Sequence, residues 1–167
     1  MNIAEACRFL DSQIPDKTSG LPDDVFYFIS RTTPLVNTDL LIKDKNGRVL
    51  LAWRDDEYCG KGWHIPGSIV RFKESLERRI VETARKELGT TDIVYCKTPL
   101  AVQENIFPEL DNRGHFISFL YECSLRDDFV IDNGGKSEDT PGFLAWHDGC
   151  PIDLLPMQEP YRRFIVA

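Results

Sequence analysis

The amino-acid sequence predicts an α/β (α+β) domain in which a mixed β-sheet is sandwiched between helices. Strand-like runs come before and after one central amphipathic helix, and helical segments stand near both ends of the chain. The chain has 167 residues, of which 42% are hydrophobic and 28% are charged, a composition typical of a globular domain. A chain of this length can bury a hydrophobic core without disulfide bonds.

The first part of the chain, residues 1–33, is predicted to be an N-terminal helical extension. Apolar residues recur at helical spacing over 3–14, and a polar break follows. Pro22, followed by two aspartates, then begins a second short helix, because proline and acids favour the first helical turn. Residues 34–167 are predicted to form one globular unit.

The main domain begins with two strand-like runs, 35–42 and 48–53. Asn46 and Gly47 lie between them, and this dipeptide between apolar runs is a strong hairpin signal. The segment 59–68 is rich in glycine and is predicted to be loop with short extended pieces.

A single helix is predicted over 74–88, because apolar residues recur every fourth position on one face. Gly89 follows it, where a positive φ is commonly needed to end a helix. The remaining predicted elements are strands around 92–105, 115–125 and 142–147, a turn-rich segment between the last two, and a short C-terminal helix over 158–165.

Charge and cysteine content narrow the classes of function and partner. The 27 acidic and 20 basic residues give a net charge of −7, which argues against a nucleic acid or an anionic membrane as the main partner. The five cysteines are scattered and form no C-x-x-C pair, so we expect reduced thiols in a cytoplasmic protein. No apolar run is long enough for a membrane span, and the acidic N-terminal segment is unlike a signal peptide.

The stretch most informative about chemistry is 66–89, PGSIVRFKESLERRIVETARKELG, a loop that leads directly into the central helix. It resembles the signature of the Nudix hydrolases, G-x5-E-x7-R-E-U-x-E-E-x-G-U, in which U is a bulky apolar residue. The preceding W-H-I-P-G run and hairpin also fit that family. The resemblance implies the Nudix fold and a loop and helix that hold Mg²⁺ or Mn²⁺ against a diphosphate.

The signature is incomplete in this chain. Its first glycine is replaced by Ser68, and its arginine by Glu82. The three positions that form the acidic metal face of the helix read Thr83, Lys86 and Glu87, so one carboxylate of three remains.

One Nudix subgroup, the GDP-mannose mannosyl hydrolases, has a similarly shortened acidic set and uses one metal. Similarity to this subgroup implies that the carbonyl of Gly67 and the carboxylate of Glu87 are metal ligands. It also implies that Asp39 and Arg54 contact a nucleotide sugar. The subgroup's arginine after the loop is Ile69 here, and its histidine base, in the loop before the last strand, is absent.

The general base and the role of Lys86 have alternative interpretations. Glu138 and Asp139 lie in the loop before the last strand and are the best candidates for a base, or they are a solvated turn. Lys86 either contacts phosphate as a tethered cation or points to solvent. The helix charges also fit an i,i+4 ladder that needs no metal, in which Arg78 pairs with Glu74 and Glu82, and Glu82 also with Lys86.

Two functions from different classes follow. The first is an Mg²⁺-dependent hydrolase of a nucleoside diphosphate linked to another group, a GDP-mannose-like nucleotide sugar being the expected substrate. The second is a Nudix-fold module that binds or senses a nucleotide or nucleotide sugar without consuming it. Either would take a small-molecule nucleotide, and several Nudix proteins are dimers, so a homodimer is a further expectation.

Overall fold

The computed structural model describes residues 2–165, which form two β-sheets. The larger sheet contains β1 (Leu35–Ile42), β4 (Gly67–Ile69), β5 (Ile93–Tyr95), β6 (Ala101–Ile106) and β7 (His115–Leu125). Its strand order is β4-β1-β7-β5, with β6 also paired to β7. The smaller sheet has β2 (Val49–Asp56) between β3 (Gly60–His64) and β8 (Leu144–His147). Because β1 and β7 are parallel and the other pairs antiparallel, the larger sheet is mixed.

Helices cover the sheets from different sides. The chain begins with α1 (Ile3–Gln13) and α2 (Asp23–Ser30), and α3 (Leu76–Glu87) is the central helix. The C-terminal segment is a 3₁₀ helix, Pro156–Phe164. The predicted fold class, a mixed sheet sandwiched between helices, is confirmed.

Two hydrophobic clusters form the core, one on each face of β1. Leu40 and Ile42 belong to the cluster that includes Ile80 of α3, whereas Leu41 belongs to the cluster that includes Tyr161 of the 3₁₀ helix. Alternate residues of a strand point to opposite faces. The uninterrupted apolar run of β1 is therefore explained by burial on both faces.

The Asn46-Gly47 turn forms as predicted, but the two strands beside it do not make an extended hairpin. The N–H of Gly47 donates to the carbonyl of Asp44, and Lys43 forms an isolated bridge with Val49. Beyond this bridge β1 and β2 separate into different sheets. Each strand then pairs with partners distant in sequence, which local turn chemistry does not reveal.

The boundaries of several strands differ from those predicted from the sequence. The single strand expected over 92–105 is two strands, β5 and β6, separated by a turn. The glycine-rich segment contains β3, which pairs with β2, and the start of β4, which pairs with β1. Gly89 has a positive φ of 73° directly after the capping residue of α3, as predicted.

The N-terminal helices differ in how firmly they contact the rest of the chain. No residue of α1 is buried, although Ile14 just after it is. In α2, Ser30 is buried, and the hydroxyl of Tyr58 donates to that of Tyr27 at 2.9 Å. Within residues 2–165, no helix combines the length and apolar character needed to cross a bilayer.

Candidate active site

Two neighbouring cavities meet at the open end of the smaller sheet. The first has a volume of about 250 Å³ and is lined by Asp39 and Gly67, and the second has about 360 Å³ and is lined by Lys86 and Glu87. Arg54 and His64 line both cavities. The structure thus brings the predicted residues Asp39, Arg54, Gly67, Lys86 and Glu87 to one region.

Asp39 is a buried carboxylate near the middle of β1, with 3% of its surface exposed. The side-chain amide of Asn37 donates to Oδ1 at 2.6 Å, and the hydroxyl of Tyr161 donates to Oδ2 at 2.7 Å. Burial raises the pKa of Asp39 to about 7, although these hydrogen bonds and the charge of Arg54 oppose the rise. Near neutral pH, Asp39 can therefore exchange a proton.

Gly67 lies opposite Asp39 in the ladder between β1 and β4. A Cβ atom at this position would collide with Oδ1 of Asp39 and lie 3.0 Å from the carbonyl oxygen of Thr38. Glycine is therefore required because the loop backbone passes directly against the buried carboxylate. This contact joins the proposed metal loop to the proposed sugar-binding strand.

Glu87 is the last residue of α3 and is half-buried. Burial raises the pKa of Glu87 to about 8, and the charge of Asp39 raises it further, whereas Arg54 and a backbone hydrogen bond from Gly67 lower it. A carboxylate at a helix C-terminus is also disfavoured by the helix dipole. Glu87 thus occupies a position that disfavours its charge unless a cation is close by.

Arg54 is the cation that the two carboxylates share. Its Nε lies 3.3 Å from Asp56 Oδ2, and its Nη1 donates to Cys59 Sγ at 3.4 Å. Its charge favours the ionised forms of both Asp39 and Glu87. Because it lines both cavities, Arg54 is positioned to contact an anionic group in either.

His64 is a site residue that the sequence motifs do not single out. Its Nδ1 lies 2.9 Å from the carbonyl oxygen of Ile65, so Nδ1 carries the proton and Nε2 is an acceptor. Burial lowers the pKa of His64 to about 4, which keeps the ring neutral. Among residues 2–165, its Nε2 has no hydrogen-bond partner, and the ring lines both cavities.

The sequence signal that would have found His64 is strand alternation. Trp63 and Ile65 on either side are buried in the cluster under the 3₁₀ helix. His64 therefore points to the opposite face, where its pairing partner Ala52 and then Arg54 lie along β2.

The incomplete positions of the signature contact one another. Ser68, in place of the glycine, forms a hydrogen bond with the hydroxyl of Thr83, which replaces the first metal-face glutamate. Thr83 is only 1% exposed and also donates to the carbonyl of Arg79 at 2.8 Å. The two replacements are thus structurally coupled, and a part-buried pair of hydroxyl groups stands where the signature would have a carboxylate.

The predicted i,i+4 ladder on α3 is wrong. Glu74 forms a buried bidentate pair with Arg79, at 2.7 Å in both hydrogen bonds, instead of pairing with Arg78. Glu82 pairs with Arg85, three residues further along the helix, at 2.7 Å, instead of with Lys86, four residues further. Lys86 is exposed and lines the second cavity.

Glu138 and Asp139 lie on an exposed loop and line neither cavity. The Ser137 hydroxyl donates to Asp139 at 2.6 Å and, with the charge of Lys61, holds the pKa of Asp139 below its usual value. Their role as base or metal ligand stays a prediction.

A metal at this site would have few side-chain ligands. In the part of the chain that the structure describes, no three histidine, cysteine, aspartate or glutamate side chains are grouped so that they could hold an ion. Asp39 lines the first cavity and already accepts hydrogen bonds from Asn37 and Tyr161. Glu87, Asp55 and Asp56 line the second cavity, and the two aspartates are paired with Lys61 and Arg54.

Solved structures with the same architecture identify the fold. The MutT protein of Methanosarcina mazei Go1 aligns with a TM-score of 0.58 and 20% identity, over 80% of this chain and 91% of that one. An ADP-ribose pyrophosphatase of Streptococcus suis aligns with a TM-score of 0.55 and 18% identity, over 80% and 87% of the two chains. The two-sheet arrangement with its loop and central helix is therefore the Nudix fold.

No protein-family model matches the sequence. One curated relative that matches is the low-salt glycan biosynthesis protein Agl8 of Haloferax volcanii. It is 31% identical over 121 residues, which are 70% of this chain and 76% of Agl8. The chain belongs to the same family as Agl8.

Proposed function

We propose that this protein is a Nudix hydrolase that cleaves a nucleoside diphosphate linked to another group, with a GDP-mannose-like nucleotide sugar as the expected substrate. The observation that carries the proposal is the convergence of Asp39, Arg54, Gly67 and Glu87 where the two cavities meet. The names of the relatives support the substrate class. Agl8 is named for glycan biosynthesis, and the Streptococcus suis neighbour for hydrolysis of ADP-ribose, a nucleoside diphosphate linked to a sugar.

The residues at the junction fit a single Mg²⁺ or Mn²⁺ that is held jointly with the substrate. Mg²⁺ in phosphate enzymes commonly takes one or two carboxylates and completes its shell with water and phosphate oxygens. Glu87 and the carbonyl of Gly67 would supply the protein ligands. In residues 2–165, Glu87 has no salt bridge within 4.0 Å, and a cation would remove the cost of burying its charge. When bound, the metal would offset the phosphate charge and acidify a water molecule.

The chain's own side chains would perform the remaining steps. Arg54 would contact a phosphate oxygen, and Lys86 could reach the same group from the second cavity. The unprotonated Nε2 of His64 is an acceptor for the proton of an attacking water. Glu138 and Asp139 are the alternative bases if their loop closes over the second cavity.

Turnover of nucleotide sugars in the presence of Mg²⁺ tests the proposal. Purified protein should hydrolyse at least one of GDP-mannose, UDP-glucose and ADP-ribose, and Glu87→Gln should lower kcat/KM about 100-fold or more. Glu82→Gln, on the same helix but outside both cavities and paired with Arg85, is the matched control and should retain activity. No turnover, or equal activity of the Glu87→Gln variant, would contradict a hydrolase of this kind.

The base can be assigned in the same assay. If His64 accepts the proton, His64→Gln should lower kcat with little change in KM, and a Glu138→Gln, Asp139→Asn double variant should stay active. The reverse result would assign the base to the loop.

A binding or sensing module is the second candidate, and the hydroxyl pair of Ser68 and Thr83 favours it. This pair stands where the signature would have a second carboxylate, and Glu74, just before α3, is already paired with Arg79. If the protein is a binding or sensing module, a nucleotide sugar should raise its melting temperature and be recovered unchanged after incubation. Accumulation of product at a rate that depends on Glu87 would contradict it.

A further inference from the structure

Besides the polar residues at the junction, a second group of residues lines the first cavity. It consists of Tyr58, Phe107, Phe116 and Arg113, which together we call the aromatic wall. Tyr58 comes from the β2–β3 turn, Phe107 and Arg113 from the β6–β7 loop, and Phe116 from β7. The wall presents flat apolar surface and one cation to the same cavity as Arg54 and Gly67.

Arg113 is held in an unusual way. Its backbone has a positive φ of 57°, which is rare for a residue other than glycine and is seen most often at functional positions. Its guanidinium lies 5.2 Å from the centre of the Tyr58 ring. Among residues 2–165 no carboxylate lies within 4.0 Å of it, so in this acidic protein Arg113 is a cation without a salt bridge beside a cavity.

Helix α2 supports the aromatic wall from outside. The hydroxyl of Tyr58 donates to that of Tyr27 at 2.9 Å, and the backbone N–H of Arg113 donates to the hydroxyl of buried Ser30 at 3.2 Å. Arg31, just after α2, donates to Asn112 at 3.2 Å. The contacts of α2 are thus directed at the two segments that carry Tyr58 and Arg113.

The chemistry of the wall suits a heteroaromatic base. Stacking on aromatic rings is favourable for every nucleobase. A guanidinium edge matches the paired acceptors of guanine, and it can also donate to the carbonyl groups of uracil. A second phosphate would gain little from three aromatic rings.

We propose that the aromatic wall binds the base of the nucleotide, that Arg113 contacts the acceptor edge of this base, and that Tyr27 of α2 is a positioning residue for the subsite. The proposal rests on the proposed function, because it assumes a nucleotide in the first cavity. It gives the N-terminal extension a role in substrate selection.

Calorimetric titration with two probes separates the base from the diphosphate. GDP contains both, whereas inorganic pyrophosphate has the diphosphate without a base, and each is titrated with Mg²⁺ present. Tyr58→Leu and Arg113→Ala should each weaken GDP binding about tenfold or more, the scale of one stacked base, and leave pyrophosphate binding unchanged. Arg126→Ala, an exposed arginine outside the first cavity, should change neither.

Conservative variants separate positioning from folding. Tyr58→Phe keeps the ring but loses the hydrogen bond to Tyr27, so it should weaken GDP binding only a few-fold, as should Tyr27→Phe. Unchanged GDP binding in Tyr58→Leu and Arg113→Ala, or an equal loss of pyrophosphate binding, would overturn the subsite. If the wild-type protein binds pyrophosphate but not GDP, the subsite alone fails. If it binds neither probe, the proposed function fails as well.

Discussion

At the scale of single residues, Gly67 joins the loop, the strand and the helix of the site. Its backbone lies directly against the buried carboxylate of Asp39, and its N–H favours the ionised form of Glu87. A side chain at this position would separate β4 from β1 and so move both the Gly67 carbonyl and its N–H. The glycine is therefore needed for close approach, since its φ is not among the positive ones.

Gly67→Ala should destabilise the protein by about 1–3 kcal/mol, the usual cost of overpacking a filled site, and should lower any hydrolase activity. Urea unfolding and the turnover assay measure the two effects. Gly149→Ala is the control, because nothing lies within 4 Å of a Cβ there. Equal stability of the two variants would mean that β4 can move away from Asp39 without cost.

His64 predicts a pH dependence of stability with a definite sign. Its pKa is lowered from 6.5 to about 4 by burial, so between these values the unfolded chain binds a proton that the folded chain does not. The contribution of His64 to the free energy of unfolding is therefore present above pH 6.5 and is lost as the pH falls towards 4.

Between pH 7 and pH 5 the loss should be about 2 kcal/mol of unfolding free energy. The measurement compares wild type with His64→Gln by urea unfolding at each pH, so that other titrating groups cancel. His115→Gln, an exposed histidine paired with Glu104, is the control. Parallel stability curves for wild type and His64→Gln would contradict a neutral buried ring.

At the scale of elements, a network of side-chain contacts at α3 stands where the Nudix signature would place an acidic face. The Glu74–Arg79 pair is nearly inaccessible, with side-chain exposures of 8% and 4%. Arg79 also donates to the Ser68 hydroxyl at 3.4 Å, and Ser68 bonds to Thr83. This network fixes the start of α3 to the loop that contains Ser68 through side chains of the chain itself, and Glu87 at the other end of the helix lies outside it.

Arg79→Leu should cost about 3–5 kcal/mol, because it leaves the buried carboxylate of Glu74 without its partner. Arg85→Leu should cost less than about 1 kcal/mol, since its pair with Glu82 is largely exposed. Thermal or urea unfolding of the two variants checks the difference. Similar small losses in both would show that the Glu74 carboxylate is protonated or hydrated when its partner is removed.

The elements were predictable where the signal is local, and less so where the partner is distant in sequence. Helical periodicity and Gly89 gave the end of α3, and Asn46-Gly47 gave the turn. No local signal shows that β1 and β2 enter different sheets, because this depends on the pairing of β1 with β7 about 80 residues later. The pairing of Glu74 with Arg79 was missed for a different reason, because Glu74 lies before α3 and the i,i+4 spacing of a helix does not apply to it.

The candidate site was predictable in part. The resemblance to a Nudix subgroup pointed to Gly67, Glu87, Asp39 and Arg54, all of which the fold brings close together. Tyr161 was not anticipated, because its hydrogen bond to Asp39 spans 122 positions of sequence. The aromatic wall likewise combines the β2–β3 turn, a later loop and the N-terminal α2, which only the folded chain joins.

At the scale of the whole molecule, α2 and the C-terminal 3₁₀ helix contact different parts of the candidate site. Helix α2 holds the aromatic wall, and the C-terminal 3₁₀ helix lies under the junction of the two cavities. From that helix, Gln158 accepts a hydrogen bond from the backbone N–H of Ile65 at 3.1 Å, and Tyr161 donates to Asp39. The aromatic wall and the buried carboxylate of Asp39 are thus both tied to segments outside the Nudix signature.

Tyr161→Phe should reveal this long-range link. The side chain is 2% exposed, and its hydroxyl donates to Asp39 Oδ2 at 2.7 Å, so the variant leaves a buried carboxylate without one hydrogen bond and should lose about 2 kcal/mol of stability. Tyr121→Phe is the control, since Tyr121 is equally buried and its hydroxyl has no hydrogen-bond partner within residues 2–165. Because Asp39 also lines the first cavity, Tyr161→Phe should weaken GDP binding, whereas Tyr121→Phe should not. Equal stability and equal GDP affinity of the two variants would show that the 3₁₀ helix only packs against the site.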